Sequence, residues 1–480
     1  MVSTRTPGFS RPRGRFTGRS RTPAQTSTTE APSGSGRPPR GFSTRPFPRQ
    51  RGESTFPPTP DRLNAARLAR LARLSSTRTV QLLGCLVAAG WAAAFPLVSD
   101  LPNQRLWGLI AAPAYALAGL LCLTLPRRFA AHAAACVALV GAVLVPLGLL
   151  ALHGRHQSEV MVVERSAHLL LTTGTAYLPH PVVVTDYNPY LPAMSLFGMP
   201  RQLLGDSTAF ARVAGDARIW FALTFFACLL AAWRLLRPSG PGPSGRRAPL
   251  LPLAVLTASP LIALALVVGG VDLPLIGVCC LAMALAERDR TVGAGLVLAL
   301  ACTLKWTAWP ALPVAVLLLW RLYGRRPAAR TALIGVGASA LVILPSVLAQ
   351  ADALREQVVR FPLGMTAIRT PAGSPLPGKV LAGFGPTGHA VSLALMTIAL
   401  VAVAIWLLAR PPVSAIAAAD LLAAGLAIAF MLAPAGRFGY LALPAVLLIW
   451  PRLAARRWSS RRPVPPGRVR GRPQPALPRG

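Results

Sequence analysis

From residue 79 onward, apolar stretches of about twenty residues recur so regularly that only membrane-crossing helices accommodate them. The sequence predicts spans near 79–98, 106–125, 130–151, 218–236, 249–268, 271–287, 291–309, 310–323, 331–350, 389–409, 414–433 and 436–451. Inside a bilayer, backbone groups must be satisfied within their own segment, and a helix does that for runs of this length. The run from Ala294 to Trp320 also reads as one long helix bent at Pro310, so the expected count is eleven to thirteen. Composition agrees: 53% of the 480 residues are hydrophobic and only 14% charged. The expected fold is an all-α polytopic helical bundle of about twelve transmembrane helices, occupying 79–451.

The ends of the chain read differently. Residues 1–60 are dominated by Arg, Pro, Ser, Thr and Gly, and they lack the apolar content needed to offset chain entropy, so a disordered basic tail is expected. In residues 61–78, Leu63, Leu68, Leu71 and Leu74 share one arc and Arg62, Arg67, Arg70 and Arg73 its neighbour, with Asp61 able to cap. This predicts an amphipathic juxtamembrane helix lying on anionic lipid; a plain extension of the first span fits equally well. Residues 452–480 form a second basic tail, expected to be disordered and cytoplasmic. The first apolar segment lies too far from Met1 for a secretory signal and is expected to stay as an anchor.

The net charge of +35 raises the question of nucleic acid, but its distribution argues for membrane lipids as the partner. Arginines crowd the two tails and otherwise form short clusters between spans: Arg127 and Arg128, Arg234 to Arg247, Arg288 and Arg290, and Arg321 to Arg330. With both termini cytoplasmic, every one of these clusters falls on the cytoplasmic side, as the positive-inside rule requires of a cell (inner) membrane protein. No nucleic-acid partner is expected. The seven cysteines lie inside apolar runs without CxxC or Cys/His spacing, which predicts neither a disulfide framework nor a zinc site.

That topology leaves two long segments on the non-cytoplasmic side, 152–217 and 351–388, and long loops in compact proteins are commonly functional. Nine of the fifteen acids fall on that side, five of them in the first loop: Glu159, Glu164, Asp186, Asp206 and Asp216. Residues 158–172 suit an amphipathic helix ended by Gly174, which puts Glu159 in its first turn near the headgroups. The second loop is rich in Pro and Gly with anchoring Phe, Leu and Met, and reads either as a lid over the first or as a surface connection.

The run SEV…ERSAHLLLTTGTAYL…DYNPYLP, the turn GGVDLPL and the segment LKWTAWPALP together resemble glycosyltransferase family 87 of the GT-C superfamily. The resemblance spans roughly 150–450. Members of that family include polyprenyl-phosphomannose-dependent mannosyltransferases of actinobacteria. It implies an enzyme that moves a hexose from a polyprenyl phosphate sugar to an envelope lipid or glycan acceptor, with a lipid-linked donor as substrate and no cofactor. Two helices precede the span leading into the acidic loop, whereas the typical member has that loop after its first helix. Glu159 stands where the family's loop acid, usually Asp, aligns.

Such a transfer needs a base for the acceptor hydroxyl and cations for the donor phosphate. Glu159 is the first candidate base and Asp186 the second. As ordinary residues, Glu159 would complement a helix dipole and Asp186 would shape the turn before Pro189. Lys305, Arg437 and Arg360 are candidate phosphate ligands, with Arg369 a further one. Lys305 reads equally as a lysine snorkelling beside Trp306 and Trp309, or as the partner of Asp272. His156, Tyr187, Asn188 and Tyr190 are candidate acceptor-contacting residues. His153 and His156 are spaced His-x-x-His but lack a third ligand in frame, so no metal site is predicted and any metal requirement stays open. Two other classes remain in play. A transporter or lipid flippase would need inverted repeats and charges along a transit path, and neither is legible. A non-catalytic scaffold would use its tails and leave Glu159 and Asp186 dispensable.

Overall fold

The computed structural model describes residues 78–237 and 249–455, and these fall in one compact unit. Apart from Arg78 and residues 452–455, the tails and the expected amphipathic helix at 61–78 lie outside the described residues. The chain forms α1 (Arg78–Val98), α2 (Pro102–Thr124) and α3 (Arg127–Leu152), then a loop containing α4 (Ser158–Thr173). It continues with α5 (Ala217–Leu236), α6 (Leu250–Thr257), α7 (Pro260–Val268), α8 (Leu273–Glu287), α9 (Thr291–Leu304) and α10 (Ala311–Tyr323). The remainder is α11 (Arg325–Leu354), α12 (Pro386–Ala409), α13 (Ala415–Leu432) and α14 (Ala442–Ala455). Among the described residues there is no β-strand, only one isolated bridge between Gly373 and Gly436. Eight segments are long and apolar enough to cross a membrane, and α6 with α7, bent by 70°, makes a ninth if the pair is one span. This is an all-α polytopic membrane protein.

Each of the twelve predicted spans is helical, and the departures have local causes. The run from Ala294 to Trp320 is not one bent helix. It stops at Leu304, where Lys305 takes an extended backbone (φ −157°, ψ 135°), and resumes at Ala311 after a 3-10 turn at Trp306–Ala308. The segment expected to begin a loop at 351 instead stays helical: α11 runs on past a kink at Gln350 and passes into π-helical turns at Arg355–Arg360.

Small residues let the helices meet closely, as membrane bundles favour. A Cβ on Gly108 of α2 would lie 2.5 Å from the Ala92 carbonyl oxygen of α1, and one on Gly277 of α8 3.0 Å from the Phe225 backbone of α5. Helix α8 is buried around nearly its whole circumference, so it forms the centre of the bundle. By contrast, α12 buries only Ser392 and Leu407. Backbone carbonyls released by irregular turns find side-chain donors, as a membrane interior demands. Pro146 has no N–H to offer the Ala142 carbonyl one turn back, and that carbonyl accepts from Trp107 Nε1 at 2.8 Å. The α6–α7 bend frees that of Ala258, which accepts from the Tyr115 hydroxyl at 2.6 Å.

Contacts sort the connections to two ends of the bundle. At one end, Arg288 donates to the carbonyls of Leu235 and Arg237, Tyr323 to that of Glu287, and Arg452 pairs with Asp420. The other, the loop end, carries α4 and the site described next.

Candidate active site

The loop end is assembled around the start of α4. Helix α3 finishes at Leu152, and a turn through Gly154 (φ +61°) brings the chain back so that the Gln157 amide donates to the Val268 carbonyl at 2.8 Å. This single bond ties the first turn of α4 to the last of α7. Helix α4 then runs to Thr173 and ends on Gly174 in the left-handed region (φ +76°), the cap that glycine accommodates without strain.

Glu159, in that first turn, forms an ion pair with Arg437 from the connection between α13 and α14. The residues are 278 positions apart. Arg437 is presented by an extended stretch: Ser374 N donates to the Gly436 carbonyl at 3.0 Å, Gly436 N to that of Ala372 at 3.1 Å, and Phe438 N to Ser374 Oγ at 3.3 Å. Part of the second loop therefore braces the residue that faces Glu159. The carboxylate also lies against Gly269, where a Cβ would fall 3.2 Å from Glu159 Oε2.

Beside this pair is a second. Lys305 Nζ donates to Asp272 Oδ1 at 2.7 Å. The hairpin of α8 and α9 explains the juxtaposition, because Asp272 precedes the N-terminus of one helix and Lys305 follows the C-terminus of the other. Each charge complements the adjacent helix dipole. Lys305 Nζ also stands 4.8 Å from the ring centre of Tyr440 and 5.8 Å from that of Tyr190, within cation–π range. Tyr190 is buried, and burial together with the negative charge of Glu159 and Asp272 pushes its hydroxyl well above the usual tyrosine range. Two carboxylates, two cations and two phenols thus share one electrostatic neighbourhood.

The DYNPYLP stretch is held by its own bonds. Asn188 Nδ2 donates to the Ala176 carbonyl at 3.0 Å, and its Oδ1 accepts from Tyr190 N at 3.1 Å. Gln357, fully buried, accepts from Asn188 N at 3.0 Å and donates to the Leu178 carbonyl at 2.7 Å. Tyr187 stacks on Phe361, ring centres 4.3 Å apart. The Leu191 amide donates to the Leu304 carbonyl at 3.0 Å, which pins the loop next to Lys305.

The other sequence candidates have different surroundings. Asp186 accepts from the amides of Val182 and Val183, both at 3.0 Å, and pairs with Arg165 at 3.4 Å. The Val183 and Val182 amides, with Arg165, hold its carboxyl below the usual range. Arg360 pairs with Glu356 on its own helical turn at 3.1 Å, and Arg369 is exposed. His156 Nδ1 lies 3.1 Å from the Gln157 carbonyl, and His153 Nδ1 2.7 Å from that of Leu149. Among the described residues, no three His, Cys, Asp or Glu side chains converge as a metal site would need. Glu164, buried, accepts from Arg201 at 3.4 Å and from the Ala217 amide at 3.2 Å; burial raises its carboxyl above the usual range against the pull of Arg201.

Sequence reading did not single out Tyr440, Gln157 or Gly269. Their signals were thin: Tyr440 closes the RFGY turn, Gln157 sits two residues before Glu159, and Gly269 opens a Gly-Gly pair after an apolar run.

The described residues thus form a polytopic α-helical membrane bundle with paired acids and cations gathered at one end. The model of glycosyltransferase family 87 matches residues 188–434, about half the chain, and the chain belongs to that family. It is a membrane glycosyltransferase. The match takes in Tyr190, Asp272 and Lys305, begins after Glu159 and ends before Arg437. No individually curated protein and no solved structure matches the chain.

Proposed function

We propose that this glycosyltransferase moves a hexose from a polyprenyl phosphate sugar to a hydroxyl of an envelope lipid or glycan, at the non-cytoplasmic face of the cell membrane. Mannose is the sugar the family resemblance suggests. The observation that carries the reading is the convergence of the Glu159–Arg437 and Lys305–Asp272 pairs at the loop end. The orientation follows the positive-inside rule, with both termini and the basic connections cytoplasmic.

A polyprenyl phosphate sugar brings a phosphodiester to the membrane surface, where water is scarce and cations count for more than in bulk solvent. Arg437 and Lys305 supply them, Arg437 with the planar fork that suits phosphate oxygens. Phosphate and Glu159 compete for Arg437. Donor binding thereby releases Glu159 to take a proton while the phosphate keeps the cation. The acceptor oxygen bonds to the anomeric carbon and its proton passes to Glu159. The bond from that carbon to the phosphate oxygen breaks, and its electron pair leaves on the polyprenyl phosphate. A single in-line displacement of this kind inverts the anomeric centre and needs one base. Tyr190, Tyr187, Asn188 and His156 border the acceptor side. Asp186, its oxygens committed to two amides and Arg165, shapes the turn; Arg360 is engaged by Glu356.

The test offers purified membranes a radiolabelled polyprenyl-phosphomannose or a nucleotide-linked mannose, with octyl mannoside as acceptor. Label should pass to the acceptor from the lipid-linked donor alone. Transfer from the nucleotide sugar, or none from any polyprenyl phosphate sugar, overturns the proposal.

A further inference from the structure

We infer that Arg218 is a positioning residue for Glu159: it fixes the end of α7 to which the first turn of α4 is bonded. This rests on the reading of Glu159 as the base and gives a role to a buried charge that the proposed reaction does not use.

Arg218 lies in the first turn of α5, and its side chain and that of Asp216 are both 0% exposed. Asp216 caps the helix, accepting from the Arg218 amide at 2.9 Å. Its two oxygens also take Arg218 Nε at 2.9 Å and Nη2 at 2.6 Å, a two-pronged contact. Apolar residues of similar volume commonly stabilise a fold as well as a buried ion pair does. What the guanidinium does with its remaining nitrogen therefore matters more than the pair itself.

Arg218 Nη1 donates to the Val267 carbonyl at 2.5 Å. The next carbonyl, that of Val268, accepts from the Gln157 amide at 2.8 Å. A helix end leaves such carbonyls without partners of its own, and here two in succession are divided: one is held to α5, the other holds α4. The turn that follows, Gly269–Gly270, has no side chain to brace it, and Glu159 Oε2 lies against Gly269. A third link closes a triangle of helices, because Glu164 Oε1 on α4 accepts from the Ala217 amide at the start of α5 at 3.2 Å. Glu159 sits at the corner where α4 meets α7, and Arg218 supplies the side opposite, between α5 and α7. Without that side the end of α7 shifts and carries the Gln157 amide, and the first turn of α4, along with it. A base displaced by about 1 Å from its hydroxyl loses on the order of a hundredfold in rate.

The double variant Asp216→Asn/Arg218→Met strands no charge, and Asn keeps the cap on α5. The full-length variant is compared with wild type and with Phe225→Ala, which opens a cavity about two turns further along the same helix. Hydrogen exchange of the Gln157 amide should speed about tenfold or more in the double variant and stay near wild type in Phe225→Ala. In the transfer assay the double variant's kcat should fall about ten- to a hundredfold with the KM values for donor and acceptor unchanged. Phe225→Ala should lower Tm and leave kcat near wild type. Unchanged exchange at Gln157, or exchange that rises equally in Phe225→Ala, overturns the inference. So does a kcat that falls no further than in Phe225→Ala while Glu159→Gln is inactive. Should the double variant fail to fold, Arg218→Lys keeps a charge beside Asp216 but lacks the fork that also reaches Val267, and it should show the same rise in exchange. The exchange arm needs no turnover, so it judges Arg218 even where Glu159→Gln transfers at the wild-type rate and the reading of the base fails.

Discussion

Replacing Asp272 and Lys305 singly and together separates what their ion pair does for the fold from what the lysine does for the reaction. The pair is 2.7 Å long, and its side chains are 12% (Lys305) and 21% (Asp272) exposed, so each charge depends mainly on the other. Breaking a buried pair from one side costs about 3–5 kcal/mol, because the remaining charge is stranded. Partial exposure places Asp272→Asn nearer ~2–3 kcal/mol. Lys305→Met should cost less, since a stranded carboxyl can take up a proton. In the double variant no charge is stranded, and its stability should return to within ~1 kcal/mol of wild type. Transfer should not return: without Lys305 the donor phosphate loses a cation, and turnover should stay about a hundredfold or more below wild type. The assays are thermal unfolding in detergent and transfer from a radiolabelled polyprenyl phosphate sugar. A double variant that is both stable and active would confine Lys305 to the fold and remove it from phosphate binding.

Three further outcomes follow from the same geometry. Gly269→Ala places a methyl 3.2 Å from Glu159 Oε2, so the carboxylate must shift by a few tenths of an ångström; transfer should fall about three- to tenfold with little change in Tm. Gln357→Ala leaves the Asn188 amide and the Leu178 carbonyl unpaired inside the loop, costs about 2–4 kcal/mol, and should speed hydrogen exchange across 176–190. Asp186 has a depressed carboxyl, so its contribution is present above the ordinary carboxylate value and lost as pH falls through the lower folded value. The amides of Val182 and Val183 should therefore lose protection only below about pH 4, and exchange that loosens nearer neutrality would contradict this.

The helices were legible because each apolar window is local, and so was the α4 helix with its glycine end at Gly174. The Lys305–Asp272 pair could be anticipated from two charges flanking one hairpin. The Glu159–Arg437 pair could not, since 278 residues separate its members and nothing in either neighbourhood points to the other. The same holds for Gln357, a neutral side chain in a helical turn that proves to lock Asn188. The break at Lys305 was hidden because the residues either side of it are apolar enough to read as one helix. Sequence ranked Glu159 before Asp186, but the Val182 and Val183 amides and Arg165 that engage Asp186 could not be read, because those bonds depend on how the turn closes.

A non-catalytic scaffold would leave Glu159 dispensable, so the most direct measurement is transfer by Glu159→Gln. The substitution keeps the side chain's size and removes both its capacity to take a proton and the charge that pairs with Arg437. Offered radiolabelled polyprenyl-phosphomannose and octyl mannoside, the variant should transfer at least a hundredfold more slowly than wild type. Its affinity for the donor should be at least that of wild type, since Arg437 and Lys305 are in place and Glu159 no longer competes for Arg437. Transfer at the wild-type rate by a folded Glu159→Gln would contradict the assignment of the base, and with it the claim that the loop end carries the chemistry.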